Sequence, residues 1–148
     1  VPDGDNARAI RADDGAAAER ALSEGLLPTT ISSDLHIKNV TGPVFDLVTT
    51  MSKFIHLGMS VNEVIPRCTQ FSAQTMGLSN IGNLRVGSNG DLTVLRLEDG
   101  QFTLRDRLST ATSIGPNTWE AGMTVTATSR LSHVVTVKDG EIYKPWLP

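Results

Sequence analysis

Between positions 44 and 55 the apolar side chains fall at Val44, Leu47, Val48, Met51, Phe54 and Ile55, the spacing of a helix with one face on a core. Pro43 suits the first position, Asp46 the first turn, and Lys53 and His56 the last turn before Gly58. A second helix is announced by the capping box Ser60-Val61-Asn62-Glu63, flanked by Met59 and Val64 as a hydrophobic staple. Pro66 lies inside it and predicts a kink or break, with a short resumption near Ala73 to Met76 that Gly77 ends. Upstream, Ala16 to Ser23 is a good short helix former, with Asp13 and Asp14 at its positive end and Gly25 beyond it. Residues Val1 to Gly15 show no period and are expected to be a poorly ordered lead-in.

Beyond Leu78 the pattern turns to β. Ile81 to Leu97 holds a Ser-Asn-Gly turn and then a β-rich run, and Glu98-Asp99-Gly100-Gln101 predicts a hairpin with Phe102 and Leu104 on the return strand. Arg107 to Gly122 reads as a surface loop. Met123 to Val137 is rich in Thr and Val, and Lys138-Asp139-Gly140-Glu141 predicts a turn into Ile142 and Tyr143.

The remaining stretch has the most chemistry. Thr30 to His36 reads as a short buried strand, entered after Pro28, that ends on Asp34 and His36 before the helix described above. A strand, a loop and a helix, with an acid at the strand tip, is the way an α/β barrel brings catalytic groups to its active face. At 148 residues the chain has room for one core. A complete barrel of this kind takes at least about 200 residues, so the chain is expected to be a piece of one, as its start at Val1 also suggests.

Composition narrows the function classes. Hydrophobic residues make up 39% and charged residues 20%, ordinary for a globular domain. The net charge of -3, without a basic stripe, argues against nucleic acid as a partner. Cys68 is the single cysteine, so neither an intrachain disulfide nor a thiolate metal cluster is available, and a reducing, cytoplasmic setting is expected. No apolar run reaches the roughly 18 residues of a membrane span, and no membrane partner is expected.

The segments TISSDLH, GPVFDLVTTMSKFIHLGMS, VNEVIPRCTQFSAQTMGL and IGNLRVGSNGDLTVLRLEDGQF stand in that order. Together they resemble the C-terminal part of the amidohydrolase superfamily, and most closely its deacetylase or dihydroorotase-like branch. The likeness runs from about Leu22 to Tyr143 and is most specific over Thr30 to Gly58, whereas the Gly82 to Leu95 block is shared widely across the superfamily. The resemblance implies an α/β fold: the last strand and helices of a (β/α)8 barrel over residues 1–78, and β-sandwich strands over 79–148. It implies zinc, and a metal-dependent hydrolase acting on the C–N bond of a small amide, cyclic amide or N-acyl substrate. By the same resemblance Asp34 is the catalytic residue, metal ligand and proton shuttle in one. A carboxylate suits that work, since it can take a proton from water and later give it to a leaving amine. His36, Asn39 and Gly42 follow as substrate contacts.

The departures from the family pattern are as informative. The family draws its other ligands from a His-x-His pair, a carboxylated lysine and two further histidines, but this chain has only His36, His56 and His133. One carboxylate cannot replace the three or so protein ligands of a catalytic zinc, so the chain by itself is expected to be inactive. Val48 stands where the family has a proline, and Pro66 where it has a helix former. The alternative reading is a non-catalytic remnant or interaction domain with the same fold. Either way, missing strands leave open edges, and self-association or a complementary N-terminal fragment is expected.

The other reactive residues have plainer readings. Asp34 alone could be a turn cap, and His36 a structural hydrogen-bonder. His56 reads as a helix-dipole partner, His133 as a half-exposed strand residue and Cys68 as a small buried side chain. Ser33 lacks the Gly-x-Ser-x-Gly elbow of a serine hydrolase, and Gly82, Gly87 and Gly90 read as turns because no helix opens after them.

Overall fold

The computed structural model describes residues 9–11, 15–35, 37, 45–105 and 124–143. In chain order these form β1 (Ala9–Arg11), α1 (Gly15–Ser23), β2 (Thr30–Ser32), α2 (Leu47–His56), α3 (Val61–Cys68), α4 (Gln70–Thr75), β3 (Leu92–Arg105), β4 (Thr124–Lys138) and β5 (Glu141–Tyr143). β1 and β2 pair in parallel with Ile10 opposite Ile31, while β3, β4 and β5 form an antiparallel sheet in that order. The presence of β1 corrects the expectation of a structureless start. Its three residues carry no pattern of their own, and only the ladder with β2 makes them a strand. The surface loop expected over 107–122 lies outside the described residues.

Local chemistry sets the helix ends. Asp46 is the N-cap of α2, its carboxylate accepting from the Thr49 N–H at 2.6 Å, so the helix starts at Leu47 rather than Val44. At the other end Gly58 has φ +101, and the amides of Gly58 and Met59 donate back to the carbonyls of Ile55 and Phe54. This places Met59 against Phe54 in the core. The capping box of α3 forms as expected, with the Glu63 carboxylate accepting from both the Ser60 amide and the Ser60 hydroxyl at 2.8 Å. These bonds hold the Glu63 carboxyl below its usual range, the amide contributing most. Pro66 does not break α3. The helix runs through it to Cys68 and breaks at Thr69 (φ -128, ψ -88), before α4 resumes. Proline's φ fits a helix, and the carbonyl it deprives of a partner belongs to Asn62, an exposed residue that water can reach. Val48 is the second residue of α2, where an N–H has no helical acceptor, so the departure from proline disturbs nothing.

The hairpin expected at Glu98 to Gln101 is absent. β3 continues straight through these residues, and its partner is β4, with a register shift between Asp99 and Phe102. Gly100 lies close under the Phe102 ring, where a Cβ would come 3.0 Å from it and the ring would have to shift. That ring also carries the Arg130 guanidinium at 4.4 Å, and Arg130 Nε donates to Glu98 at 2.9 Å across the ladder. The second turn forms as expected. Asp139 and Gly140 take positive φ between β4 and β5, and the Asp91 carboxylate accepts from the Asp139 amide at 2.8 Å.

One core joins these parts. Ala18, Ile31, Met51, Phe54, Met59, Val64 and Leu131 pack together, so α2 lies between the parallel pair and the long sheet. Ser52 makes the joint. Its hydroxyl donates to Val48 O and accepts from the Leu131 N–H, both at 2.9 Å, on a stretch of β4 that β5 does not reach. Ser52→Ala strands that amide in a buried place and is expected to lower stability by about 1–3 kcal/mol. Urea denaturation measures this; an unchanged midpoint would mean that water already reaches the Leu131 amide.

Candidate functional site

β1 and β2 run parallel, so their carboxyl ends share one edge, the edge at which parallel α/β sheets place their ligands. Asp34 lies just beyond Ser32, the last residue of β2. The strand delivers it there because Ile31 is 2% exposed and anchors the ladder, while Pro28 is fully buried at the other end. Asp34 is half-buried with φ +50, a left-handed conformation that aspartate tolerates better than most residues. Leu35 and Ile37 beyond it are exposed. His36, Asn39 and Gly42, the expected substrate contacts, lie outside the described residues.

The other candidates lie on other elements. His56 is the last residue of α2, as a dipole partner should be. His133 is exposed on β4 with Nε2 2.8 Å from the Thr136 hydroxyl. Cys68 closes α3, and burial pushes its thiol up to about 12, which keeps it protonated and unreactive near neutral pH. Gly82 serves packing: a Cβ there would come 2.7 Å from Thr69 O at the break between α3 and α4. Asn83 Oδ1 accepts from the Arg85 amide and the Ser88 hydroxyl in the following turn, and β3 opens after Gly90. The glycine series is therefore turn structure.

Polar positions inside the helix stripe were not foreseen from the apolar period. Thr50, Ser52 and Lys53 are buried on α2 beside Met51 and Phe54. The alternation of apolar residues marked one face, whereas α2 is covered on two sides, by α3 and by β4.

Among the described residues no group of three or more His, Cys, Asp or Glu is placed to hold a metal ion. Asp34 offers one carboxylate, and a catalytic zinc takes about three protein ligands, so the described residues do not fit a metal by themselves. Among the described residues no helix is long and apolar enough to cross a membrane.

The sequence profile described as the amidohydrolase family matches residues 1–146. A deacetylase from Enterococcus faecalis is 33% identical over 127 residues, covering 85% of this chain and 31% of the relative. A deacetylase from Brucella anthropi is 40% identical over 89 residues, covering 60% of this chain and 22% of the relative. Among solved structures, an adenine deaminase superposes with a TM-score of 0.73 at 32% identity, over 86% of this chain and 32% of its own. A dihydroorotase superposes with a TM-score of 0.71 at 30% identity, over 90% of this chain and 34% of its own. The chain thus spans about a third or less of the length of these proteins.

Proposed function

The chain belongs to the amidohydrolase family, and on that premise we propose that it is the C-terminal portion of a hydrolase of C–N bonds in small amides, cyclic amides or N-acyl compounds. Residues 1–78 form the last part of its barrel and residues 79–148 the β-sandwich strands. The observation that carries this reading is the half-buried Asp34 just past the carboxyl end of a strand in a parallel pair. There a carboxylate accepts a proton from the attacking water and returns it to the departing nitrogen. His36, Asn39 and Gly42 follow in the chain and are the proposed substrate contacts. Members of this family generally use a divalent metal, zinc being the one the resemblance implies. Asp34 would be one of its ligands, and the others must come from polypeptide outside this chain.

The proposed partner is accordingly a complementary segment of the same family. Exposed apolar side chains such as Leu26, Leu27, Leu84 and Val86 support that reading. Alone, the chain is expected to self-associate, to bind no stoichiometric zinc and to release no amine from N-acetylated substrates. Co-expression with the N-terminal two-thirds of the Enterococcus faecalis deacetylase should restore a defined complex and amine release. Size-exclusion chromatography with metal analysis checks the first expectation, and a stable monomer with a sharp melt would count against it. A well-formed complex that hydrolyses nothing would favour the non-catalytic reading.

A further inference from the structure

We infer that Arg67 is a positioning residue for Asp34, acting through the axial placement of β2; this rests on the reading of Asp34 given above. Arg67 Nε donates to Pro28 O at 2.7 Å, and Nη1 donates to Glu63 O at 2.7 Å within its own helix. The guanidinium also lies over the Phe71 ring of α4 at 5.8 Å. One side chain thereby ties α3 and α4 to the residue that leads into β2. Both bonds are charge-assisted and about 2.7 Å long, in the strong range for a guanidinium donor.

β2 needs such a tie. It is three residues long and its ladder among the described residues is with β1 alone. A parallel pair this short resists sliding weakly, and within β2 itself Ile31 is the one buried residue that keys it laterally. Pro28 is fully buried, has a fixed φ and precedes Thr30 by two positions, so a bond to its carbonyl fixes where the strand begins. An extended strand transmits such an anchor along its axis because its length per residue hardly varies. Asp34, in its left-handed turn at the far end, inherits that placement. Arg67 sits remote in sequence, 39 residues from Pro28, on a helix that follows both β2 and α2 in the chain.

The test compares wild type, Arg67→Met and Arg67→Lys in the complemented chain, with the chain alone as fallback. Amide N–H correlation spectra report the placement of Asp34, assigned through Asp34→Asn. In Arg67→Met the Asp34 resonance should shift together with those of Ile31 to Ser33, while Leu131 on β4 stays in place. Arg67→Lys, which keeps one donor for Pro28 O, should recover part of the shift. Where the complex releases amine, kcat should fall by about 10 to 10²-fold with KM nearly unchanged. A lower melting temperature with Asp34 resonance and kcat unmoved would overturn the inference, leaving Arg67 a stabilising residue only. If Arg67→Met does not fold, Arg67→Lys decides by the same comparison. Failure of the Asp34 reading shows separately, as amine release that survives Asp34→Asn.

Discussion

Asp34→Asn is expected to lower amine release by the complemented chain about 10²- to 10⁴-fold, the usual contribution of a positioned proton-transfer group. Asparagine is the informative replacement. It has the same shape, tolerates φ +50 at least as well, and loses the charge, proton capacity and anionic ligand oxygen of the carboxylate. Assembly and melting temperature should therefore stay near wild type while the rate collapses. Alanine mixes two effects, because a left-handed backbone is costly for it, by about 1–2 kcal/mol. Initial rates on N-acetylated amino acids, normalised to the amount of complex, measure the effect. A rate within a few-fold of wild type in a correctly assembled complex removes Asp34 from the chemistry.

Phe54→Ala should be the most damaging core change, lowering stability by about 3–5 kcal/mol. Phe54 is 1% exposed on α2 and shares its cluster with Ile31, Val64 and Leu131. Removing the ring opens a void bounded by the parallel pair on one side and the long sheet on the other. Domains of this size hold about 5–15 kcal/mol in all, so the variant should retain little cooperative unfolding. Denaturant titration followed by far-UV circular dichroism tests it. If helix and sheet signals were then lost at different denaturant concentrations, residues 1–78 and 79–148 would be separable units. A single shifted transition would mean that α2 makes them one.

What could be read from the residues divides by distance along the chain. The capping box at Ser60 to Glu63 and the Asp139-Gly140 turn are decided within four residues, and both form as expected. The start of α2 was misplaced because Asp46, read as a first-turn charge, takes the cap itself. Glu98 to Gln101 resembles a hairpin turn, yet the true partner of Glu98 is Arg130, and no local signal reveals a strand so far away. β1 was missed for the same reason. At the site, the residues predict a strand from Thr30 to His36 that carries Asp34 at its end, whereas the strand stops at Ser32 and Asp34 lies just beyond it, because its left-handed backbone cannot continue a ladder. The resemblance to amidohydrolases was legible because motif residues such as Gly82 answer to local packing, here a loop pressed on the α3–α4 break.

The pairing of β3 with β4 sets an order in time. Arg105 faces Thr124 at one end of the ladder and Leu92 faces Val137 at the other, so the chain to be closed is much shorter at the first end. Loop closure is entropically cheaper there, and the two strands should zip from Arg105 towards Leu92. Each register shift on the way, first at Asp99/Phe102 and then at Val94/Leu95, is a point where a wrongly aligned ladder stalls. The amide of Leu131, waiting for the Ser52 hydroxyl, is then among the last to be shielded, when α2 settles onto the finished ribbon.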